Sequence, residues 1–369
     1  MSRLWWLVPF GACLLAVILT GNKTLLDISE RSSCPFCYGD DFCSALENAT
    51  FQYNSLQKVA FNFVSVKNVF FAQLDGRELV LKKLADCAVF SLLNQDVFRE
   101  AKPKAIKQED LVTLLSDNRR HFHTCNRATA QQLIQAIPSK NSKELANLWT
   151  LLNVNVEPLL LEVFRKEHKW PVPHFFGYCG RLAVEENCGV PLNEVQLLHW
   201  NHRAHIALQL LQAADKFTSG HEEFRLYLTD VSPDNVAVNL QDFSVAFVDL
   251  EHGILQGIHS DQPATLAHYT QYMPEEEFAF FSDSVCASRI SDHNIYAVCR
   301  LFLSPAAPWP MMLGGLLHSP QAAPERLFSL IELCVHSPNE IPRFSLSRTI
   351  QQLLRDLLND AGYYNLKNE

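Results

Sequence analysis

The spacing of hydrophobic and polar positions changes along the chain and predicts an order of elements. Residues 56–84 favour strands, and Asp75-Gly76 between two apolar runs predicts a β-hairpin. Helical periodicity appears in KQEDLVTLLSDN, ATAQQLIQAI and NVEPLLLEVFRKEH. Short strands return in HFFGYCGRLAVEEN, and NEVQLLHWNHRAHIALQLLQAADKF predicts a long helix. The rest predicts one short β-hairpin and then mostly helix, so the fold class is α+β.

The first 21 residues carry a pattern of their own. A single arginine precedes an uncharged apolar run from Leu4 to Leu19, which is short for a membrane-spanning helix and typical of a signal-peptide core. Because no small-x-small cleavage site is obvious near Thr20 and Gly21, an uncleaved anchor stays open. Residues 1–21 therefore predict entry into the secretory pathway, to the Golgi or ER lumen or to the outside. Membrane contact is expected through such an anchor alone.

Charge and cysteine content agree with that compartment. The formal net charge of −9 argues against nucleic-acid partners. Asn22 and Asn48 each begin an Asn-x-Thr sequence and are predicted glycosylation sites. Besides Cys13 in the apolar run, ten cysteines are candidates for disulfides, with no pairing readable from the sequence. They are Cys34, Cys37, Cys43, Cys87, Cys125, Cys179, Cys188, Cys286, Cys299 and Cys334.

Five polar residues stand in the order that phosphoryl transfer from ATP requires. Lys82 follows the apolar run Leu79-Val80-Leu81, and Glu157 opens an amphipathic helix. In TDVSPDN, Asp230 and Asn235 have the spacing of a kinase catalytic loop, and Asp249 ends the next strand. Each residue alone is more often a solvated lysine, a cap or a turn residue. Their common order favours a nucleotide and metal site.

Longer segments resemble the divergent protein-kinase-domain family of the secretory pathway, in particular its "deleted in autism" branch. They are CPFCYG, DGRELVLKKLA, NVEPLLLEVF, WPVPHFFGYCGRLAVEE, LTDVSPDNVAV and FVDLEH. ISDHNIYAVCRLFL resembles the kinase helix whose buried aspartate, Asp292 here, braces the catalytic loop. The resemblance implies a two-lobed protein-kinase-like fold with a disulfide-rich N-terminal extension. Its parts are the extension at 22–55, an N-lobe at 56–190 with a helical insertion at about 86–150, and a C-lobe at 191–369.

The resemblance also implies roles in the C-lobe. Asp230 would orient or deprotonate the acceptor hydroxyl, while Asn235 and Asp249 would hold Mg²⁺ or Mn²⁺ on the phosphates of ATP.

In the N-lobe, Lys82 and Glu157 would form the ion pair that holds the phosphates. Glu162 lies on the same helix and is the alternative partner of Lys82. We prefer Glu157 because the apolar Leu161 follows it by four positions. Val69 is expected to cover the adenine, and Glu185 to bind the nucleotide from a hinge at 182–187.

Departures from the kinase pattern leave two functions open. The three phosphate-loop glycines are replaced by Asn62, Val64 and Lys67, and Ser232 replaces the catalytic-loop lysine. An atypical kinase acting on an unknown lumenal or secreted protein or glycan is preferred, because the irreplaceable polar residues remain. The alternative is an inactive pseudokinase that serves as a secreted or Golgi signalling module, with a receptor as its partner. A glycosyltransferase ranks below both, since no Asp-x-Asp motif is present in this region.

Two histidine groups could bind metal. His121-x-His123-x-Cys125 and the series His199, His202 and His205 each lack an evident further ligand, so we expect solvated or packing histidines.

Overall fold

The computed structural model describes residues 28–34, 37–51, 68–83, 106–118, 120–137, 142–220, 223–258, 267–272, 282–318, 324–337 and 342–364. The predicted signal segment 1–21, Asn22, Cys87 and the phosphate-loop positions at 62, 64 and 67 lie outside these residues. Within the described ranges, no helix combines the length and apolar character that crossing a membrane would need.

The described strands and helices follow one another as the α+β prediction requires. The strands are β1 (Thr50–Phe51), β2 (Asn68–Leu74), β3 (Arg77–Lys83), β4 (Phe122–Thr124), β5 (Phe175–Cys179), β6 (Leu182–Glu186), β7 (Val190–Pro191), β8 (Phe224–Leu228), β9 (Val236–Val238), β10 (Val245–Phe247) and β11 (Gly253–Gly257). The α-helices are α1 (Cys43–Leu46), α2 (Gln108–Leu115), α3 (Arg127–Ala136), α4 (Ser142–Val154), α5 (Glu157–Val163), α6 (Trp200–Ser219), α7 (Ser282–Cys286), α8 (His293–Val298), α9 (Glu325–His336) and α10 (Arg343–Asp360).

The described residues fall into two compact units that are not continuous in sequence. The first takes those within 1–111, 138–163 and 173–187, and the second those within 112–137, 164–172 and 188–369. The predicted N-lobe takes in all of 56–190, whereas residues 112–137 belong to the second unit. The reason is that β4 pairs in parallel with β11, with Phe122 opposite Gly253.

The first unit contains an antiparallel sheet whose described strands lie in the order β1-β2-β3-β6-β5. Asp75 and Gly76 join β2 to β3 as predicted, and both have the positive φ angles (50° and 78°) that a tight hairpin turn requires. Side chains alternate across β3, so Leu79 and Leu81 enter the core with Ala72. Val80 and Lys82, at the alternate positions of β3, therefore lie on the other face.

The N-terminal extension is joined to the turn between β5 and β6. Cys43 and Cys179 form a disulfide, and the amide of Gly180 donates to the carbonyl of Gly39 at 2.7 Å. Gly180 has φ +59°, and a Cβ at this position would lie 2.1 Å from the carbonyl oxygen of Ser29. This close approach leaves no room for a side chain at position 180.

The described strands of the second unit form two small sheets, β10-β9-β7 and β4-β11-β8, beside the helices. The predicted hairpin is β9–β10. The apolar run of β8 does not join it, because β8 pairs with β11, with Leu228 opposite Gly253. The long helix begins at Trp200, later than predicted, because Leu192–Val195 forms a 3-10 turn and His199 caps the helix by accepting from the amide of Asn201.

Four disulfides join described cysteines, which confirms the predicted disulfide chemistry. The pairs are Cys34–Cys37, Cys43–Cys179, Cys125–Cys286 and Cys299–Cys334. Cys188 is buried against Ala237 and Ala246. Its disulfide and that of Cys87, which is outside the described residues, stay predictions.

Candidate functional site

In the first unit, Lys82 is held by two acidic side chains. Its Nζ lies 2.8 Å from each carboxylate oxygen of Glu157 and 3.0 Å from Oε2 of Glu185. The lysine side chain is 13% exposed, and each glutamate side chain is 1% exposed. An ammonium group this deeply placed is stable because opposite charges compensate for its lost hydration. The arrangement presents a fixed cation on the face of the sheet opposite to that of Leu79 and Leu81.

Local sequence explains why Glu157, and not Glu162, meets the lysine. Glu157 is the first residue of α5, where its amide donates to Oδ1 of Asn155 at 2.7 Å. Asn155 therefore orients the start of the helix, a role that we did not predict although an Asn before a helix is a recognised capping signal. Glu162 instead accepts a hydrogen bond from the hydroxyl of Tyr178 at 2.6 Å.

Strand register decides what else shares the face of Lys82. Val69 of β2 and Ala183 of β6 lie directly opposite Lys82. Opposite residues of an antiparallel pair project to the same face, so Val69 lies where we expect adenine contact, and that role stays a prediction. Glu185 lies opposite Val80, two positions along, within reach of Lys82. Its side chain contacts the lysine from within β6, and its binding of the nucleotide from a hinge stays a prediction.

In the second unit, Asn235 and Asp249 lie at the same end of the β9–β10 hairpin. Val236 is opposite Phe247, and the amide of Val248 donates to the carbonyl of Asn235 at 3.0 Å. Nδ2 of Asn235 donates to the carbonyl of Asp230 at 3.0 Å, which ties the two loop residues together. With its nitrogen used in this way, the side chain of Asn235 offers its oxygen, the atom that a hard cation binds.

Asp230 has a histidine neighbour, His252, that was not predicted from the sequence. Nδ1 of His252 lies 3.5 Å from Oδ2 of Asp230, and Nε2 lies 3.8 Å from Oε1 of Glu251. The ring stacks on His121 with centroids 4.5 Å apart. The hydrogen bond to Asp230 raises the pKa of His252 above its usual value; burial opposes this rise, and the charges of Glu251, Asp230 and Asp249 favour it. The Asp230 side chain is 49% exposed.

The strand before Asp230 is held by the residues that follow Asp292. Oδ1 of Asn294 accepts from the amide of Leu228 at 3.1 Å, and Nε2 of His293 donates to the carbonyl of Leu228 at 2.9 Å. Burial lowers the pKa of His293 to about 4, so its imidazole is neutral at pH 7. These two residues complete the hydrogen bonding of the strand end.

The carboxylate of Asp292 itself has other partners. Oδ1 accepts from the amide of Thr270 at 2.8 Å, and Oδ2 accepts from Nη1 of Arg343 at 2.6 Å. Asp292 is fully buried, as predicted for this helix, but its described contacts are not with the catalytic loop. The reason is that the guanidinium of Arg343, from α10, is buried beside Asp292 and binds its carboxylate.

The side-chain oxygens of Asn235 and Asp249 are of the type that binds Mg²⁺ together with a nucleotide. Among the described residues, no group of three or more His, Cys, Asp or Glu side chains could hold a metal ion. Mg²⁺ in phosphotransferases is commonly held by one or two side chains together with substrate phosphates and water. Asn235 and Asp249 therefore fit an ion that arrives with ATP.

Members of the two predicted histidine groups make packing contacts, hydrogen bonds or a disulfide. His202 stacks on Phe243 with centroids 4.0 Å apart, and its Nδ1 lies 3.1 Å from the hydroxyl of Tyr363. The sulfur of Cys125 is used in its disulfide with Cys286.

Comparisons with known proteins identify the relatives of this chain. The family described as "Protein-kinase domain of FAM69" matches residues 148–337, just over half of the 369-residue chain. "Divergent protein kinase domain 2A" of Xenopus tropicalis is 28% identical, with 96% of each chain covered. Its Homo sapiens counterpart is 27% identical over 98% of this chain and 97% of the relative. "Divergent protein kinase domain 2B" of Mus musculus is 30% identical over 52% of this chain and 42% of the relative.

Among solved structures, vaccinia related kinase 3 covers 85% of this chain and 86% of its own, with a TM-score of 0.37 at 12% identity. A likeness at this level adds nothing about function. The family match confirms the predicted resemblance and the protein-kinase-like fold class. With the match extending over both the β5–β6 strands and the Asp230–Asp249 segment, the chain belongs to the family of the FAM69 protein-kinase domain.

Proposed function

We propose that this protein is an atypical kinase that transfers the γ-phosphoryl group of ATP to a hydroxyl group of a lumenal or secreted acceptor. The observation that carries the proposal is the buried ion pair of Lys82 and Glu157. Burying an ammonium beside a carboxylate is costly unless the pair is well placed, and packed apolar residues would serve stability as well. A chain with no use for a phosphate-binding cation has little physical reason to keep it.

The other residues have defined tasks in this reaction. Lys82 binds the phosphates of ATP through its ammonium group, held in position by Glu157. Asp230 accepts the hydrogen bond of the acceptor hydroxyl and takes its proton as the oxygen attacks phosphorus and ADP leaves. Asn235 and Asp249 supply oxygen ligands to Mg²⁺ or Mn²⁺. When bound, the ion neutralises the charge of the phosphates.

The second candidate is a pseudokinase that binds a receptor or another protein. Two observations favour it. The phosphate-loop positions Asn62, Val64 and Lys67 lack glycine, so the backbone cannot approach the phosphates in the usual way. Glu185 also places a second negative charge beside Lys82.

The proposed location is the lumen of the secretory pathway, either membrane-anchored or secreted. Its support is the apolar leader in the sequence and the disulfides, which persist in oxidising compartments. The acceptor is then a protein or glycan of that compartment. The Asn-x-Thr sequence at Asn48, which is exposed, agrees with a glycosylated chain.

Thermal unfolding of the disulfide-intact protein with ATP, with and without Mg²⁺ or Mn²⁺, tests the proposal. A ligand that binds the native state alone stabilises it by about 2.7 kcal/mol at a hundredfold excess over Kd. We expect a metal-dependent rise in Tm that the Asp249→Ala variant loses. The matched control is Asp242→Ala, an exposed aspartate in the turn of the same hairpin, which keeps the rise. No rise in a folded protein at millimolar ATP and metal favours the pseudokinase.

A further inference from the structure

Glu185 changes the charge balance around Lys82. Glu157 and Glu185 together carry two negative charges against the single positive charge of the lysine, and both side chains are 1% exposed. Two carboxylates therefore contact one ammonium group in a region where water screens poorly. Strand register fixes the position of Glu185. It lies on β6 opposite Val80 and therefore on the same face as Lys82.

The donors of Lys82 are also fully matched. An ammonium group has three N–H donors. Three carboxylate oxygens lie within 3.0 Å of Nζ: Oε1 and Oε2 of Glu157 and Oε2 of Glu185. A phosphate oxygen that binds Lys82 must take the place of one of them. Glu157 contacts the ammonium through two oxygens and Glu185 through one, so the contact with Glu185 is the one that yields.

We propose that Glu185 is a positioning residue that competes with the phosphates of the nucleotide for Lys82, which weakens nucleotide binding and makes it depend on a divalent cation. The inference rests on the proposed function, because it concerns the same nucleotide site. A phosphate group approaching Lys82 meets the negative charge of Glu185 a few ångströms away. A divalent cation bound with the nucleotide offsets that repulsion, so metal-free ATP is disfavoured more than metal-bound ATP.

The test is the dissociation constant of ATP, with Mg²⁺ and with the metal removed by chelation, for the disulfide-intact protein and its Glu185→Gln variant. Glutamine keeps the size of the side chain and removes its charge, and the contact between Lys82 and Glu157 remains. We expect the variant to bind Mg²⁺–ATP about tenfold more tightly or better. Metal-free ATP should gain by a larger factor. A residue that served stability alone would weaken binding or leave it unchanged when replaced.

The matched control is Glu162→Gln, which removes a partly buried carboxylate of the same unit that contacts the hydroxyl of Tyr178. It should leave both dissociation constants unchanged. If Glu185→Gln does not fold, Glu185→Met offers an uncharged side chain of similar length with no hydrogen-bonding need, and the same gain is expected.

The outcomes separate this inference from the proposed function. Binding by the native chain that is unchanged or weaker in Glu185→Gln overturns the role of Glu185 and leaves the proposed function standing. Binding by the variant alone supports the role of Glu185 and favours the pseudokinase for the native chain. No binding by either protein overturns both.

Discussion

Replacing Lys82 by methionine is predicted to destabilise the first unit as well as to abolish nucleotide binding. The substitution keeps most of the apolar length of the side chain and removes its charge. Glu157 and Glu185 then remain buried, each 1% exposed, with the nearest described cation gone. Removing one partner of a buried ion pair costs about 3–5 kcal/mol, because an uncompensated charge is left without hydration. We expect a loss of this size in the free energy of unfolding.

Urea unfolding of the disulfide-intact protein, followed by circular dichroism, measures the loss through the transition midpoint. The matched control is Arg77→Met, an exposed cation on the same strand, which should change stability by less than about 0.5 kcal/mol. The double variant Lys82→Met/Glu157→Gln should regain part of the lost free energy of unfolding, because one of the two uncompensated carboxylates is removed. A Lys82→Met protein within about 1 kcal/mol of the native chain would refute the reasoning.

The expected destabilisation affects how activity is tested. Substitution of the strand lysine is a natural way to inactivate a kinase, and here it removes the counter-ion of two buried acids. Loss of activity in such a variant would therefore not separate chemistry from folding. Asp249→Ala is the better test, because Asp249 is partly exposed and belongs to the second unit.

Three further changes have definite expected results. Arg343→Met leaves a buried carboxylate uncompensated and should cost about 3–5 kcal/mol in urea unfolding, whereas Arg348→Met, exposed on the same helix, should cost little. The pKa of His293 falls from 6.5 to about 4 on folding, so the unfolded chain takes up its proton first as the pH falls. Stability should then drop by about 3 kcal/mol between these pH values, a slope that the His293→Gln variant lacks. Gly180→Ala should lower Tm, because the new Cβ would lie 2.1 Å from the carbonyl oxygen of Ser29; an unchanged Tm would contradict the described close contact.

Much of the local structure could be predicted from neighbouring residues. The β2–β3 hairpin follows from Asp75-Gly76, whose residues tolerate the positive φ angles of the turn. Helix α5 begins at Glu157, with a run of buried leucines behind it. The segments WPVPHFFGYCGRLAVEE and LTDVSPDNVAV also indicated the family, and both lie within the residues that the family matches.

Contacts between distant segments could not be predicted in the same way. Residues 112–137 belong to the second unit because β4 pairs with β11 across more than a hundred residues, and three-residue strands carry too weak a pattern to reveal their partner. The bracing of Leu228 by His293 and Asn294 likewise depends on how α8 lies against β8. The carboxylate of Asp292, which was predicted to brace the catalytic loop, binds the buried guanidinium of Arg343.

The sequence by itself determined the types of side chain available, the local elements that carry them and the family to which they belong. Tertiary structure alone decided which charges meet: that Lys82 has Glu185 as a second partner, that His252 lies beside Asp230, and which cysteines pair. The physical reason is range. Backbone preference and periodicity act over a few residues, whereas strand register and helix packing set the distances between groups far apart in the chain, and charge interactions depend on those distances.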